Sequence, residues 1–243
     1  MEDILTVDQS VHAISGKRLK EVEETLLSGK PFSYIHHEAE FYQHRFYVDE
    51  RVLIPRPETE LLVDSIVRTG KKFQKLLDVG TGSGVILLSL MKARVAILGT
   101  GSDISDEALQ VARINQRRLR VKSDFIKSDR FQNISGEFDL IVSNPPYIKA
   151  SAHRTLVQAS VDSFEPHLAL YLEDSAYEDW FSSFFKDVFS HLMPGGQFWM
   201  EGHEIELAEQ GRMLEKAGFS HVQVLKDYSG LDRFLRAEKL SKN

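Results

Sequence analysis

Apolar positions along the chain keep two rhythms, short unbroken runs and longer stretches in which they recur every third or fourth residue, and from Lys75 onward the two alternate. Leu76-Leu77-Asp78-Val79 is the first run and predicts a strand, after which Gly80-Thr81-Gly82-Ser83-Gly84 turns into a helix from Val85 to Met91. Val95 to Gly99 predicts the second strand. Ser102-Asp103-Ile104-Ser105 leads into a helix with Ser105 as its N-cap, and Asp106 and Glu107 in the first turn meet the positive end of the helix dipole. Val121 to Ile126 and Phe138 to Val142 predict the third and fourth strands. Beyond a loop-rich stretch around Phe164-Glu165-Pro166, a helix from Tyr177 to Leu192 stops at Pro194-Gly195-Gly196, and Gln197 to Glu201 makes a fifth strand. A helix from about Glu206 to Ala217 follows. Val222-Gln223-Val224-Leu225 and Arg233-Phe234-Leu235-Arg236, joined through Tyr228-Ser229-Gly230, read as an antiparallel hairpin at one edge. Strands alternating with helices predict an α/β fold: a mainly parallel sheet of seven strands, covered by helices, with an antiparallel C-terminal hairpin.

Ahead of this region the rhythm is less regular. Residues 1 to about 30 carry Leu19, Val22, Leu26 and Leu27 at helical spacing and stop at Ser28-Gly29-Lys30-Pro31, a short helical extension too small to be a domain. Phe32 to Leu53 is rich in aromatics and alternates in Glu40-Phe41-Tyr42 and Arg45-Phe46-Tyr47-Val48, which predicts a β-hairpin against one edge of the core. Ile54-Pro55-Arg56-Pro57-Glu58-Thr59-Glu60 then opens a helix through Leu61, Leu62, Ser65 and Ile66, with Pro57 suited to the first helical position and two glutamates to the first turn. Helix initiation explains all of this segment except Arg56, which a proline on either side holds in place as a candidate pocket element. The expected organisation is a helical extension over 1–30, a β-hairpin and linker over 31–54, and one globular domain over 55–243.

Composition narrows the function classes. With 42% hydrophobic and 27% charged residues, a chain of 243 residues can bury a proper core. The absence of cysteine excludes disulfides, thiolate metal sites and cysteine nucleophiles. No apolar run approaches the roughly 20 residues needed to span a bilayer, and the acidic start Met1-Glu2-Asp3 is unlike a signal peptide, so a cytoplasmic location is expected. A formal charge of −6 argues against affinity built on many phosphate contacts, and no stable nucleic-acid binding is expected. The one dense basic run, Arg113, Arg117, Arg118, Arg120 and Lys122, falls near a helix end and reads as a solvated face favoured by the helix dipole. His36-His37-Glu38 and His203-Glu204 lack the HExxH spacing, so no metal site is expected.

Candidate chemistry gathers at strand ends. Gly80, Gly82 and Gly84 let the backbone approach a ligand at a helix N-terminus, although the spacing is GxGxG and not the dinucleotide GxGxxG. Alone, such a loop is weak evidence. Asp103 closes the second strand some twenty residues further on, where a carboxylate reaches a ribose hydroxyl pair, and the two together point to an adenosine-bearing ligand. The fourth strand runs into Ser143-Asn144-Pro145-Pro146-Tyr147. Asparagine offers a carbonyl oxygen, each proline lacks a backbone donor and leaves its own carbonyl free, and tyrosine offers a flat face. The set suits a planar NH2 group, and a nucleobase and an amide satisfy it equally. Glu201 closes the fifth strand nearby, either as a positioning carboxylate or as a solvated strand end.

An Asp-x-Gly-x-Gly-x-Gly loop, an acidic strand end and NPPY after the fourth strand resemble the class I S-adenosylmethionine-dependent methyltransferases. NPPY narrows the resemblance to enzymes that methylate NH2 groups conjugated to π-systems, namely adenine, guanine or glutamine. The flanking segments choose among these. Gly29-Lys30-Pro31-Phe32-Ser33-Tyr34, Glu40-Phe41-Tyr42, Leu53 to Glu60, Ser143 to Ile148, Phe164 to Leu170, Leu192 to Gly196 and Lys226 to Arg233 occur in the order seen in the release factor glutamine methyltransferases, the HemK/PrmC family. The combination of IPRPETE with NPPY is specific to that family, and the resemblance runs from Gly29 to Arg236.

The resemblance implies a Rossmann-like class I fold and S-adenosylmethionine as cofactor. It places Gly80, Thr81, Gly82, Ser83 and Gly84 around the methionine part of the cofactor and Asp103 on its ribose, with Asn144 adjoining both cofactor and substrate. Asn144 holds the substrate NH2 through its side-chain oxygen, helped by the Pro145 carbonyl; Pro146 completes the box and Tyr147 packs on the amide plane. Where the family usually has Gly-Asp-Trp, this chain has Ser128-Asp129-Arg130-Phe131, so stacking beside the adenine passes to Arg130 or to Phe131. The implied partner is a peptide-chain release factor, methylated at the glutamine of a Gly-Gly-Gln motif. The family's longer N-terminal helical domain helps grip that factor, against about 30 residues ahead of the Gly-Lys-Pro segment here. Physical chemistry agrees with the assignment: an amide nitrogen is a poor nucleophile, and no strong base stands beside NPPY, so positioning and electrostatic preorganisation must carry the reaction. A DNA or RNA base amino-methyltransferase shares NPPY but calls for a basic face, and a non-catalytic cofactor-binding protein has no use for a retained NPPY.

Overall fold

The structure, a computed structural model, describes Thr25 and residues 27–241; of the helical extension expected over 1–30, Leu19, Val22 and Leu26 lie outside them and Leu27 within. The aromatic segment that follows opens with a short helix, α1 (Phe32–His36), instead of a strand. Pro31 starts it with its fixed φ of −56°, and Tyr34 anchors it by burying its ring and donating from Oη to the Val52 carbonyl at 2.6 Å. The expected hairpin then forms from β1 (Ala39–Phe41) and β2 (His44–Phe46), joined by Tyr42 and Gln43, both at positive φ as a two-residue mirror-image turn requires. The helix α2 (Pro57–Arg68) has Pro57 in its first turn and Arg56 at its N-cap.

The main sheet is built from β3 (Phe73–Val79), β4 (Ala96–Asp103), β5 (Asp124–Lys127), β6 (Phe138–Ser143), β9 (Leu192–Glu201), β10 (Ser220–Lys226) and β11 (Asp232–Glu238), in the order β10-β11-β9-β6-β3-β4-β5. The five strands from β9 to β5 pair in parallel, and β11 joins them antiparallel with β10 at the edge, as the sequence predicts. Helices α3 (Val85–Lys92) and α4 (Asp106–Leu119) link β3, β4 and β5. Ser105 caps α4, its hydroxyl accepting from the Ala108 amide at 3.1 Å. Between β6 and β9 lie a two-strand parallel pair, β7 (Ile148–Lys149) with β8 (Tyr171–Leu172), the short helices α5 (Ala159–Phe164) and α6 (His167–Leu170), and the long helix α7 (Tyr177–His191). Helix α8 (Leu207–Lys216) precedes the hairpin.

The period of two along each strand divides the core. Leu77, Val79, Ile141, Phe198 and Met200 point to the face covered by Phe181, Phe184 and Phe185 of α7 and Leu214 of α8. Their neighbours Leu76, Leu140, Val142 and Trp199 point to the other face, against Leu62, Val63 and Ile66 of α2 and Leu87 and Leu88 of α3. Each such side chain contributes roughly 1.5–3 kcal/mol on full burial, so both faces resist unfolding.

The two boundaries that differ most from the pattern do so for local reasons. The second strand extends four residues beyond Gly99 to Asp103. A Cβ at Gly101 would sit 2.8 Å from the Phe125 ring and 2.9 Å from the Thr81 hydroxyl, so this glycine marks a close approach inside the strand and not its end. The fifth strand begins at Leu192, not Gln197. Met193 precedes a proline, which pushes it toward extended backbone, and the Gly195 amide then donates to the Lys239 carbonyl while Gly196 accepts from the Lys239 amide. The extra residues bulge against β6, where Phe138 faces Leu192 and Leu140 faces Gln197.

Candidate active site

The strand order reverses at β3: the chain moves outward through β4 and β5, then returns to β6 on the other side. Crevices at the carboxyl ends of such switch-point strands are where open α/β sheets take ligands. Here that crevice is a cavity of about 610 Å³, and Gly80, Thr81, Gly82, Ser83, Asp103, Arg130, Asn144, Pro145 and Pro146 all line it. Gly84 does not. It sits at the N-cap of α3 with φ +82°, where a Cβ would press on Leu88 at 3.1 Å, so its service is to the turn.

The loop is held from below. Asp78, fully buried, accepts from the Thr81 hydroxyl at 2.7 Å and from the Leu87 amide at 3.2 Å, and burial pushes its carboxyl up to about 7 despite those two bonds. Gly80 and Gly82 have φ of +73° and +53° with open space where a Cβ would stand, leaving bare backbone along the cavity wall. Asp103 at the end of β4 accepts from the Gly82 amide and the Ser105 amide, both at 2.9 Å, and burial raises its pKa against those bonds. Each carboxylate oxygen retains a lone pair for a further donor such as a ribose hydroxyl. A bare-backbone cradle, a carboxylate set deep beside it and a cavity of this size fit an adenosine ligand with a methionine-sized extension.

Arg130 and Phe131 part company. Arg130, at φ +48°, lies on the cavity wall with its guanidinium 5.6 Å from the centre of the Trp180 ring, whereas Phe131 turns into the core against Phe184 and His191. Trp180 and Phe184, both from α7, also line the cavity and stack with ring centres 5.0 Å apart. Sequence reasoning missed Trp180, because an aromatic four residues before another on a helix reads as core.

A second cavity of about 330 Å³ adjoins the first, and the two share Leu53, Arg56, Asn144 and Ala169. Tyr147 lines this second space together with His153 and His203, whose rings stack with centres 4.8 Å apart. Burial lowers the pKa of His203. Arg56 is fixed from the side: the buried Glu165 accepts from its Nη2 at 2.6 Å and from the Ile54 amide at 3.1 Å, joining the IPRPETE and Phe164-Glu165-Pro166 segments. Glu201 is no solvated strand end. It is 1% exposed and accepts from the Thr59 hydroxyl at 2.7 Å and the Tyr147 hydroxyl at 3.1 Å, while Asn144 Nδ2 donates to Thr59 Oγ1 at 3.3 Å. Burial raises the Glu201 pKa, opposed by the two hydroxyls and by the charge of Arg233. Behind Tyr147, its carbonyl accepts from the Tyr177 hydroxyl at 3.1 Å. The arrangement presents fixed acceptors and one aromatic face at the wall between two spaces.

The chain is similar to known proteins. The family described as methyltransferase small domain matches residues 57–169. The chain is 37% identical over 235 residues to a release factor glutamine methyltransferase of Bacteroides thetaiotaomicron, covering 96% of this chain and 84% of that one. It is 40% identical over 221 residues to a release factor glutamine methyltransferase of Lactococcus lactis subsp. lactis, covering 90% and 81%. Among solved structures, a T. thermophilus 16S rRNA N2 G1207 methyltransferase in complex with AdoMet and guanosine superposes with a TM-score of 0.63 at 21% identity, over 83% of this chain and 49% of that one, a likeness of fold. Among the described residues no helix is long and apolar enough to cross a membrane.

Proposed function

The chain belongs to the release factor glutamine methyltransferases, and from that membership we propose that it methylates the side-chain amide nitrogen of the glutamine in the Gly-Gly-Gln motif of a peptide-chain release factor. The observation that carries the reading is the position of Asn144, on the wall shared by the cavity that fits an adenosine ligand and the second cavity lined by Arg56 and Tyr147. S-adenosylmethionine, the cofactor of this family, supplies a methyl group activated by the sulfonium. The backbone of Gly80 to Ser83 takes its methionine portion, Asp103 accepts from its ribose, and Arg130 borders its adenine.

The rest is positioning. Asn144 Oδ1 and the Pro145 carbonyl accept the two hydrogens of the substrate NH2, and Pro146 keeps the backbone between them rigid. That pair of acceptors would aim the nitrogen across the wall and stabilise the positive charge growing on it as its bond to the methyl carbon replaces the methyl carbon–sulfur bond, whose electron pair would stay with the departing thioether. Tyr147 packs on the amide plane, held by its own bond to Glu201. Once the methyl is transferred, the nitrogen carries a surplus proton of low pKa, which leaves to solvent and restores the neutral amide. The net charge of −6 argues against a nucleic-acid substrate, whose phosphates call for a broad basic surface. A cytoplasmic setting, where release factors act, completes the reading.

The direct test incubates the purified protein with methyl-labelled S-adenosylmethionine and either a release factor or bulk nucleic acid, then locates the label. Label on the release-factor glutamine is expected. Label on nucleic acid with none on glutamine overturns the proposal.

A further inference from the structure

An asparagine side chain has two nearly isosteric ends, and only one of them accepts a hydrogen from an NH2 group. For the Asn144 oxygen to face the substrate, something must hold its amino end elsewhere. The hydrogen-bond chain behind the box does so. Thr59 Oγ1 donates to Glu201 Oε2 at 2.7 Å, and that bond uses the single hydroxyl proton of Thr59. Thr59 Oγ1 is left as an acceptor. The Asn144 end that lies 3.3 Å from it is therefore the NH2 end, and Oδ1 takes the opposite side of the amide. The second oxygen of Glu201 takes the Tyr147 hydroxyl at 3.1 Å, so one carboxylate orders both polar side chains of the box. Thr59 and Glu201 are both buried, at 3% and 1% exposure, so water does not compete for these bonds.

We infer that Thr59 and Glu201 are positioning residues that fix the orientation of the Asn144 amide, and through it the preference of the site for a glutamine amide over a glutamate carboxylate. The inference rests on the glutamine reading above. With Asn144 turned around, its NH2 would face the substrate and suit a carboxylate instead. Loss of the relay leaves both orientations open, so the first property to fall is discrimination between two side chains of the same shape.

The test compares wild type, Thr59→Val, Thr59→Ser and Glu201→Gln. Valine keeps the volume and removes the hydroxyl, serine keeps the hydroxyl, and glutamine gives residue 201 a donor beside its acceptor, so the direction of the relay is no longer set. Equilibrium binding is measured, without methyl donor, to a release factor with its native glutamine and to the same factor with glutamate at that position. Cofactor affinity and thermal stability are recorded alongside. Wild type and Thr59→Ser should prefer glutamine by about tenfold or more, as a site built to bond an NH2 group does, and in Thr59→Val and Glu201→Gln the preference should shrink to about threefold or less. In turnover, Thr59→Val should lose about tenfold in kcat, with the KM for S-adenosylmethionine unchanged. A folded Thr59→Val protein that keeps both its preference and its kcat overturns the inference while leaving the glutamine reading intact. A wild type without any preference overturns the glutamine reading, and this inference with it. Should Thr59→Val fail to fold, Glu201→Gln decides by the same criteria.

Discussion

At the scale of single residues, the site separates groups that hold from groups that react. Asn144→Ala removes the acceptor and leaves the Gly80 to Ser83 backbone and Asp103 untouched, so transfer should fall by roughly 10²–10³-fold, as for other preorganised hydrogen-bond partners, while cofactor affinity measured by calorimetry stays within about twofold. Asp78 serves the loop from inside the sheet, and its pKa of about 7 ties it to stability. The folded protein keeps a proton there that the unfolded chain, at 3.8, has already released. Stability from this group is therefore full below the unfolded value and is lost as pH rises through about 7, a loss on the order of a few kcal/mol. Denaturant midpoints at pH 5 and pH 8 should show that decline in wild type and a smaller one in Asp78→Asn, whose amide does not titrate. The residue scale was also the most legible from sequence. Asn144, Asp103 and the glycine loop announce themselves because each is an uncommon residue type at a strand end. Thr59 does not, since a threonine in a first helical turn has an ordinary explanation, and Glu201 stands in the sequence as either a positioning carboxylate or a solvated strand end until its 2.7 Å bond to Thr59 decides between them.

Elements carry what residue identity conceals. The loop after β5 lacks the aromatic usual in the family, and Ser128, Asp129 and Arg130 border the cavity there. Helix α7 fills the gap from a distant part of the chain, presenting Trp180 to the cavity and to the Arg130 guanidinium at 5.6 Å. Removing a ring that stacks with a base or its cationic neighbour costs about 1–3 kcal/mol, so Trp180→Ala should weaken S-adenosylmethionine binding about tenfold by calorimetry, whereas Trp180→Phe should lose less. Unchanged affinity in Trp180→Ala would show that the ring belongs to the core alone. Hydropathy could not reveal this role, because Trp180 also packs on Phe181 and Phe184 and so satisfies the helical rhythm. The same limit explains α1 and the early start of β9: short elements are fixed by a proline, an anchoring tyrosine or a neighbouring strand, none of which leaves a period in the sequence. The long strands and helices, whose apolar residues repeat over several turns or pleats, were read with the right type and order.

On the scale of the whole molecule, the sheet acts as a frame that brings distant segments to one line. Glu165, more than a hundred residues after Arg56, holds it by an ion pair, and Asn115 of α4 bonds Tyr47 on one side and the Ser83 carbonyl on the other. Parallel order and the switch point were legible from the alternation of strands and helices, but the meeting of these segments was not, because contacts between remote positions have no signature in a single sequence. The frame also sets how visitors arrive. The two cavities have four residues in common and otherwise separate linings, so each ligand's place is built mostly from residues of its own. It follows that the order of addition is free: protein substrate and methyl donor each find a finished seat whether or not the other is filled. Initial-rate kinetics with both varied should give intersecting lines, with each product inhibiting competitively against its own parent. A compulsory sequence, seen as a product that inhibits noncompetitively against its own parent or as a substrate that fails to bind alone, would mean that one seat is assembled only when the other is taken.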